Sequence, residues 1–407
     1  MGKSIVVIGG GPAAVFAALE AKKTDTESAV TLLSNEASYP YEKPPLSKAV
    51  LLGKAMPEDA PIGGEELARR GVAVMLNTRC AAIDRNAHEV VTPAGRLKYD
   101  SLVIATGSAL RELPALPMSL PGVHYLRTDA HAHALKLALS KSQHLVVVGA
   151  GLIGLEVAAS AVKLGLKVTV IEQAPRIMHR TCDAESAAFI MAEHLKRGVN
   201  FKFSTMVEQA KPQQAGDIAL HTSDGAVEIA DLVVVGAGTR PHDAIGLEAG
   251  LDVQDGVVVD AHCRTSDPDI HAAGDVARLM TSGGSIRLEN WRHAQDHGMI
   301  AGRNAAGAND IYDPVPSYWS EQYELFIQGV GWMDASAQSV RRTASAMNSL
   351  AFQTQNSVVT FALGINAQRD IAAARRLIER KLSVDPAALA DSSQPLNAML
   401  KPKAPAL

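Results

Sequence analysis

Apolar and polar positions along the chain fall into two spans with one layout. Residues 4–21, SIVVIGGGPAAVFAALEA, set four consecutive apolar residues before a glycine turn and then an alanine-rich helical stretch. Residues 144–172, HLVVVGAGLIGLEVAASAVKLGLKVTVIE, repeat the order and add a second apolar run. Each span predicts the opening of a βαβ unit. Two shorter segments also match, YDSLVIATGS at 99–108 and IADLVVVGAGTRP at 229–241. Both put an aspartate before a four-residue apolar strand, as expected for the strand that closes such a unit at the ligand edge of its sheet.

Beyond the second closure, TSDPDIHAAGDVA at 265–277 predicts a Pro turn and a short strand, with Asp275 following Gly274 at its carboxyl end. Ligands of open α/β sheets bind at such ends. LENWRHAQDHGMIAGRNAAG at 288–307 predicts a helix with small residues on one face, suited to close packing. From about residue 315 the pattern changes: VPSYWSEQYELFIQGVGW and SVVTFALGI alternate as strands, and RDIAAARRLIERKL continues as a basic helix. This predicts a third, smaller α+β domain, ending in a tail, KPKAPAL, expected to fray.

Composition narrows the picture. A chain of 407 residues exceeds one ordinary core, and 47% apolar with 20% charged residues is the balance of a globular protein. A net charge of -4 sets up no field over the whole surface for nucleic acid or an anionic membrane, so neither is expected as a partner. Cys80, Cys182 and Cys263 are far apart and form no CxxC, which argues against a disulfide framework or a zinc knuckle and fits a reducing cytoplasm. The chain starts directly on a strand without the regions of a signal peptide, and no apolar run is long enough to span a bilayer. Among thirteen histidines only HAH at 131–133 stands out as a close pair, at a polar helix start, and no metal site is expected.

The glycine spacing carries the chemistry. Gly9 and Gly149 permit the tight turn out of each strand, while Gly11 and Gly151 let backbone N–H groups approach a diphosphate at the positive end of the helix. Ala14 and Gly154 allow each helix to pack closely on its strand. Glu172 closes KVTVIE, where a carboxylate binds both hydroxyls of an adenosine ribose and repels a 2'-phosphate, which favours NADH; Arg176 and Arg180 just beyond are possible phosphate partners. In the first span Ser34 stands at the matching place, so the ribose contact falls to Asn35 or Glu36, unless these merely form a surface turn.

The segments GGGPAA, YEKPPLSK, IATG, YLRT, GAGLIGLEVAA, AAGD, LENW and YWSEQY follow one another along nearly the whole chain. Together they resemble the FAD-dependent, NADH-utilising ferredoxin reductases that serve bacterial Rieske oxygenases and some cytochromes P450. The resemblance implies an α/β fold with two Rossmann-like dinucleotide-binding domains in a glutathione-reductase-like arrangement, plus a C-terminal α+β domain. The FAD domain would comprise 1–110 and 239–313, the NADH domain 111–238 and the last domain 314–407. It further implies FAD contacts at Ala13, Asn35, Lys48, Thr106, Arg127, Asp275 and Trp291, with backbone near Cys80. On the NADH side it implies contacts at Ile153, Arg180 and Gly238, with Glu156 facing the nicotinamide.

The implied chemistry is hydride transfer from NADH to FAD followed by single-electron transfer to an iron-sulfur redoxin, a [2Fe-2S] ferredoxin first and a rubredoxin as the alternative. Lys48 is the candidate cation beside the flavin, held by Glu156, and Trp319 the candidate aromatic over it; a solvated loop lysine and a core tryptophan are the plainer readings. A monomer or weak homodimer is expected. The family has Arg where Lys43 stands and a Trp-Phe-Trp run where this chain has Ser317, Tyr318 and Trp319. A disulfide reductase or NADH oxidase would need a thiol in SYPYEKPPLSK, which has none, and a nucleotide-controlled binding flavoprotein would call for a more basic surface. The cations Arg375, Arg376, Arg380 and Lys381 either steer an acidic redoxin or form a solvated helix face.

Overall fold

The computed structural model describes residues 2–57, 61–213, 216–281, 284–334, 337, 339–345 and 348–400. The KPKAPAL tail lies outside these residues. The chain divides into two compact units: Met1–Pro45, Met56–Arg111 and Gly238–Pro314 in the first, and Leu46–Ala55, Glu112–Ala237 and Val315–Leu407 in the second. Residues 46–55, expected inside the 1–110 segment, thus pack with the second unit. Side-chain hydrogen bonds decide this: the Ser160 hydroxyl donates to the Ser47 carbonyl at 2.8 Å, and the Ser47 hydroxyl to Glu156 at 2.5 Å.

In the first unit, Ser4–Ile8 is the middle strand of a five-stranded parallel sheet. Ser101–Ile104 and then Ile270–Ala272 lie on one side of it, and Ala29–Leu33 and then Ala73–Met75 on the other. The apolar run that predicted the first strand is buried between the layers, with Ile5, Val7, Leu102 and Ile104 fully enclosed. Helix Pro12–Thr24 follows, and helix Trp291–Ala305 packs against it almost backbone to backbone. A Cβ at Gly298 would come 2.3 Å from the Ala13 carbonyl oxygen, and one at Gly302 2.1 Å from that of Ala17. Small residues on one face set this approach.

The second unit repeats the first design. His144–Val148 is the middle of a parallel sheet flanked by Lys167–Ile171 and Asn200–Lys202 on one side and by Leu232–Val235 and Val123–Tyr125 on the other. Helix Leu152–Lys163 follows the middle strand. The C-terminal segment forms a five-stranded antiparallel sheet in which Ser317–Gln322 is an edge strand. Helix Gln368–Glu379 covers it through buried Ile371, Ala374 and Leu377 and leaves Arg376 and Arg380 exposed. Among the described residues, no helix is long and apolar enough to cross a membrane.

Candidate functional site

Both glycine turns have the geometry their spacing requires. Gly9 has φ +140° and Gly149 φ +107°, and a Cβ on either would strike a carbonyl oxygen, of Ala105 at 2.1 Å or of Gly236 at 2.6 Å. A Cβ on Gly154 would likewise strike an oxygen, that of Gly149 at 2.1 Å. Gly11 and Gly151 differ. They cap helices Pro12–Thr24 and Leu152–Lys163 with negative φ, and a Cβ there would meet nothing within 4 Å. Neither helix has a side-chain cap or an acidic residue in its first turn, whereas Thr128, Asp183 and Asn290 cap other helices by hydrogen bonds. Each start therefore keeps its N–H groups and positive dipole end for an outside anion, and the open side of each glycine leaves room for it. These donors fit a dinucleotide diphosphate at both places.

Around the first cradle, within the first unit, Glu36 accepts from the Tyr41 hydroxyl at 2.6 Å and from Lys43 at 3.3 Å, while Asn35 is exposed. Lys43 also lies 4.6 Å above the Tyr41 ring, so the lysine that stands where the family has Arg is tied to its own loop. Ala13 is buried, with its methyl toward Gly274 and its carbonyl side against Gly298. Asp275 follows strand Ile270–Ala272 and accepts from the Ser108 hydroxyl at 2.8 Å. The Thr106 hydroxyl donates to the His242 carbonyl, and Gly238, at φ +88°, accepts from the Arg111 N–H. Trp291 begins its helix, with its ring edge-on to Phe16, and burial pushes the nearby Glu42 carboxyl upward.

AVMLNTRCAAI, residues 73–83, reads as one strand in the sequence, yet Cys80 lies in a loop. Strand Ala73–Met75 stops early because Asn77 takes φ +50°, and the loop then runs beside the acid-bearing turn, with Asn77 N–H donating to Glu36 O and Thr78 N–H to Ser34 O. Burial pushes the Cys80 thiol up to about 11 and the Cys182 thiol to about 12, away from nucleophilic chemistry.

Sequence reading also passed over a buried group under the Gly274 turn. His297 Nδ1 accepts from the Gly274 N–H at 3.3 Å, and His293 Nδ1 meets the Tyr312 hydroxyl at 2.7 Å. The i,i+4 spacing of His293 and His297 was the available signal. No group of three or more potential metal ligands occurs among the described residues.

The second unit gathers the other candidates. Glu172 accepts from the N–H groups of Ala150 at 2.6 Å and Ala174 at 2.7 Å, which fixes the carboxylate beside the second cradle with lone pairs left for ribose hydroxyls. Arg176 is committed to the carbonyls of Ile177 and His179, so Arg180, exposed, is the freer of the two cations. Ile153 is also exposed, in the first turn of its helix, and Arg127 is half-buried just ahead of the Thr128 cap.

Glu156 is the most heavily bonded side chain here. Only 5% exposed, it accepts from the Ser47 hydroxyl at 2.5 Å, the Ser320 hydroxyl at 2.8 Å, the Glu321 N–H at 3.3 Å and Lys48 Nζ at 3.3 Å. Lys48 lies 3.6 Å from Glu321 as well. A solvated loop lysine would not be held by two carboxylates.

Trp319 is half-buried on the edge strand, opposite Gln328. Its neighbours explain the altered aromatic run. Ser317 accepts from Arg375 at 3.2 Å, and the Tyr318 hydroxyl donates to the Thr181 carbonyl. Arg375 is also paired with Glu379 at 2.8 Å, so the exposed cations of this helix and its end are Arg369, Arg376, Arg380 and Lys381.

Residues 3–298 match the model of the pyridine nucleotide-disulphide oxidoreductase family, and 317–400 that of the reductase C-terminal domain. The chain is 36% identical to the ferredoxin–NAD(+) reductase component of the anthranilate 1,2-dioxygenase system of Burkholderia cepacia, covering 97% of this chain and 98% of the relative. It is 33% identical to a rubredoxin–NAD(+) reductase of Pseudomonas putida, over 88% of this chain and 94% of the relative. Its fold also matches the covalent putidaredoxin reductase–putidaredoxin complex, with a TM-score of 0.92 and 30% identity over 98% of both chains.

Proposed function

The chain belongs to the pyridine nucleotide-disulphide oxidoreductase family, and from that premise we propose that it is the NADH-dependent reductase of an iron-sulfur redoxin that feeds an oxygenase. The observation that carries this reading is the pair of uncapped, glycine-opened helix starts, one in each unit, each suited to a dinucleotide diphosphate. Bound FAD supplies the conversion between a two-electron hydride donor and a one-electron acceptor.

The residues divide the work. Gly9, Gly11, Ala13 and Ala14 hold the FAD diphosphate, Glu36 or Asn35 its ribose and Asp275 the ribityl chain, with Thr106, Trp291, Arg127 and the backbone near Cys80 as further contacts. Gly149, Gly151 and Gly154 hold NADH, with Glu172 on the adenosine ribose and Ile153, Arg180 and Gly238 around it. Lys48 stabilises negative charge on the flavin, Glu156 orients Lys48, and Trp319 covers the ring. The relatives include reductases named for ferredoxin and for rubredoxin; a [2Fe-2S] ferredoxin is our first choice of acceptor. Free thiols are consistent with a reducing cytoplasm.

The test is steady-state reduction of purified [2Fe-2S] ferredoxin and of rubredoxin by NADH and by NADPH. Reduction of the ferredoxin, with NADH preferred, is expected. Turnover with ferricyanide but neither redoxin would remove the assignment.

A further inference from the structure

The hydrogen bonds that converge on Glu156 continue past it into the second unit. Ser320 Oγ is 2.8 Å from Glu156 Oε1, Gln322 Nε2 is 3.0 Å from Ser320 Oγ, His194 Nε2 is 3.0 Å from Gln322 Oε1, and the Tyr323 hydroxyl is 3.1 Å from His194 Nδ1. Ser320, Gln322 and His194 are completely buried, so each must find its partners inside this chain of contacts.

The direction of every bond can be derived from one end. Lys48 Nζ and the Glu321 N–H can only donate, so the Glu156 oxygen they share is an acceptor, and Ser320 must donate its proton there. The Ser320 oxygen then has only lone pairs left for Gln322, which must offer its amide nitrogen. Its carbonyl oxygen therefore faces His194, which donates through Nε2–H, and Nδ1 accepts from the Tyr323 hydroxyl. Burial, which holds the His194 imidazole down at about 4, keeps it in the neutral form this pattern requires.

Resting on the reading that Glu156 orients Lys48 for hydride transfer, we propose that Ser320, Gln322 and His194 are positioning residues: a one-way donor chain, reaching from the Ala184–Leu195 helix through the C-terminal edge strand, aims Glu156. The C-terminal domain thereby takes part in the reductive half-reaction as well as in any contact with a redoxin. Alternation along Ser317–Gln322 makes this possible, because residues 320 and 322 share one face of the strand.

Anaerobic stopped-flow bleaching of the flavin by NADH tests it, using holoenzyme of wild type, Ser320→Ala, Ser320→Thr, Gln322→Met and the Ser320→Ala/Gln322→Met double variant. Ser320→Ala and Gln322→Met should each slow bleaching about tenfold with the NADH dissociation constant within about twofold, Ser320→Thr should retain the rate, and the double variant should be no slower than either single one. Wild-type rates in both single variants, or a loss confined to NADH affinity, would overturn the chain; failure of the wild type to bleach would instead remove the underlying reading. Should the variants not fold, 15N NMR of wild-type His194 decides, the Nε2–H tautomer being required and the Nδ1–H tautomer contradicting it.

Discussion

At the residue scale, glycines within one motif do different work. Gly149 sits at φ +107°, 2.6 Å from a carbonyl oxygen, whereas Gly151 has an ordinary φ and an open side. Gly149→Ala should therefore cost about 2 kcal/mol or more of stability in a denaturant melt. Gly151→Ala should leave the melt unchanged yet raise the KM for NADH about tenfold, because its new methyl occupies the diphosphate's approach. The need for these glycines was legible in the sequence, since spacing along one turn is local. Of the partners of Glu156, Lys48 was expected, through the resemblance, and Ser47 and Ser320 were not. Both serines come from segments more than a hundred residues away, one on either side, and no local pattern shows that they meet Glu156. Period-two alternation of small polar residues in YWSEQ was the only trace.

At the element scale, strand and helix order followed from period, because apolar runs and small-residue faces state which side is buried. Cys80 was the exception. AVMLNTRCAAI has the composition of one strand, but Asn77 adopts a positive φ and turns the chain after Met75. Asparagine tolerates that conformation, and composition alone does not disclose it. The Trp291–Ala305 helix shows the opposite case, since the glycines in its sequence announce close packing. Gly302→Ala places a methyl 2.1 Å from the Ala17 oxygen, so the two helices must part. A loss of about 2–4 kcal/mol is expected, with weaker FAD retention, since Pro12–Thr24 begins at the first cradle. Thermal melts and flavin release on gel filtration measure both.

At the scale of the whole molecule, residues 46–55 pack with the second unit through tertiary hydrogen bonds that no local pattern discloses. Both units also hide imidazoles: His271, His293 and His297 in the first and His194 in the second, with His271, His293 and His194 pushed down to about 4 by burial and His297 lowered as well. The unfolded chain protonates near 6.5, so it binds more protons than the fold between 6.5 and 4. Their contribution is fully present above pH 6.5 and is lost as pH falls toward 4. Urea melts should show about 2 kcal/mol less stability per imidazole at pH 5 than at pH 7.

The account as a whole rests on two nucleotide cradles serving one electron path from NADH to a redoxin. A single-turnover measurement tests it most directly: the oxidised holoenzyme is mixed anaerobically with one equivalent of NADH, and then with oxidised [2Fe-2S] ferredoxin. The account predicts rapid loss of flavin absorbance, slowed when [4-2H]NADH is used, and its return with two ferredoxins reduced per flavin. Bleaching over minutes with no ferredoxin reduced would contradict it.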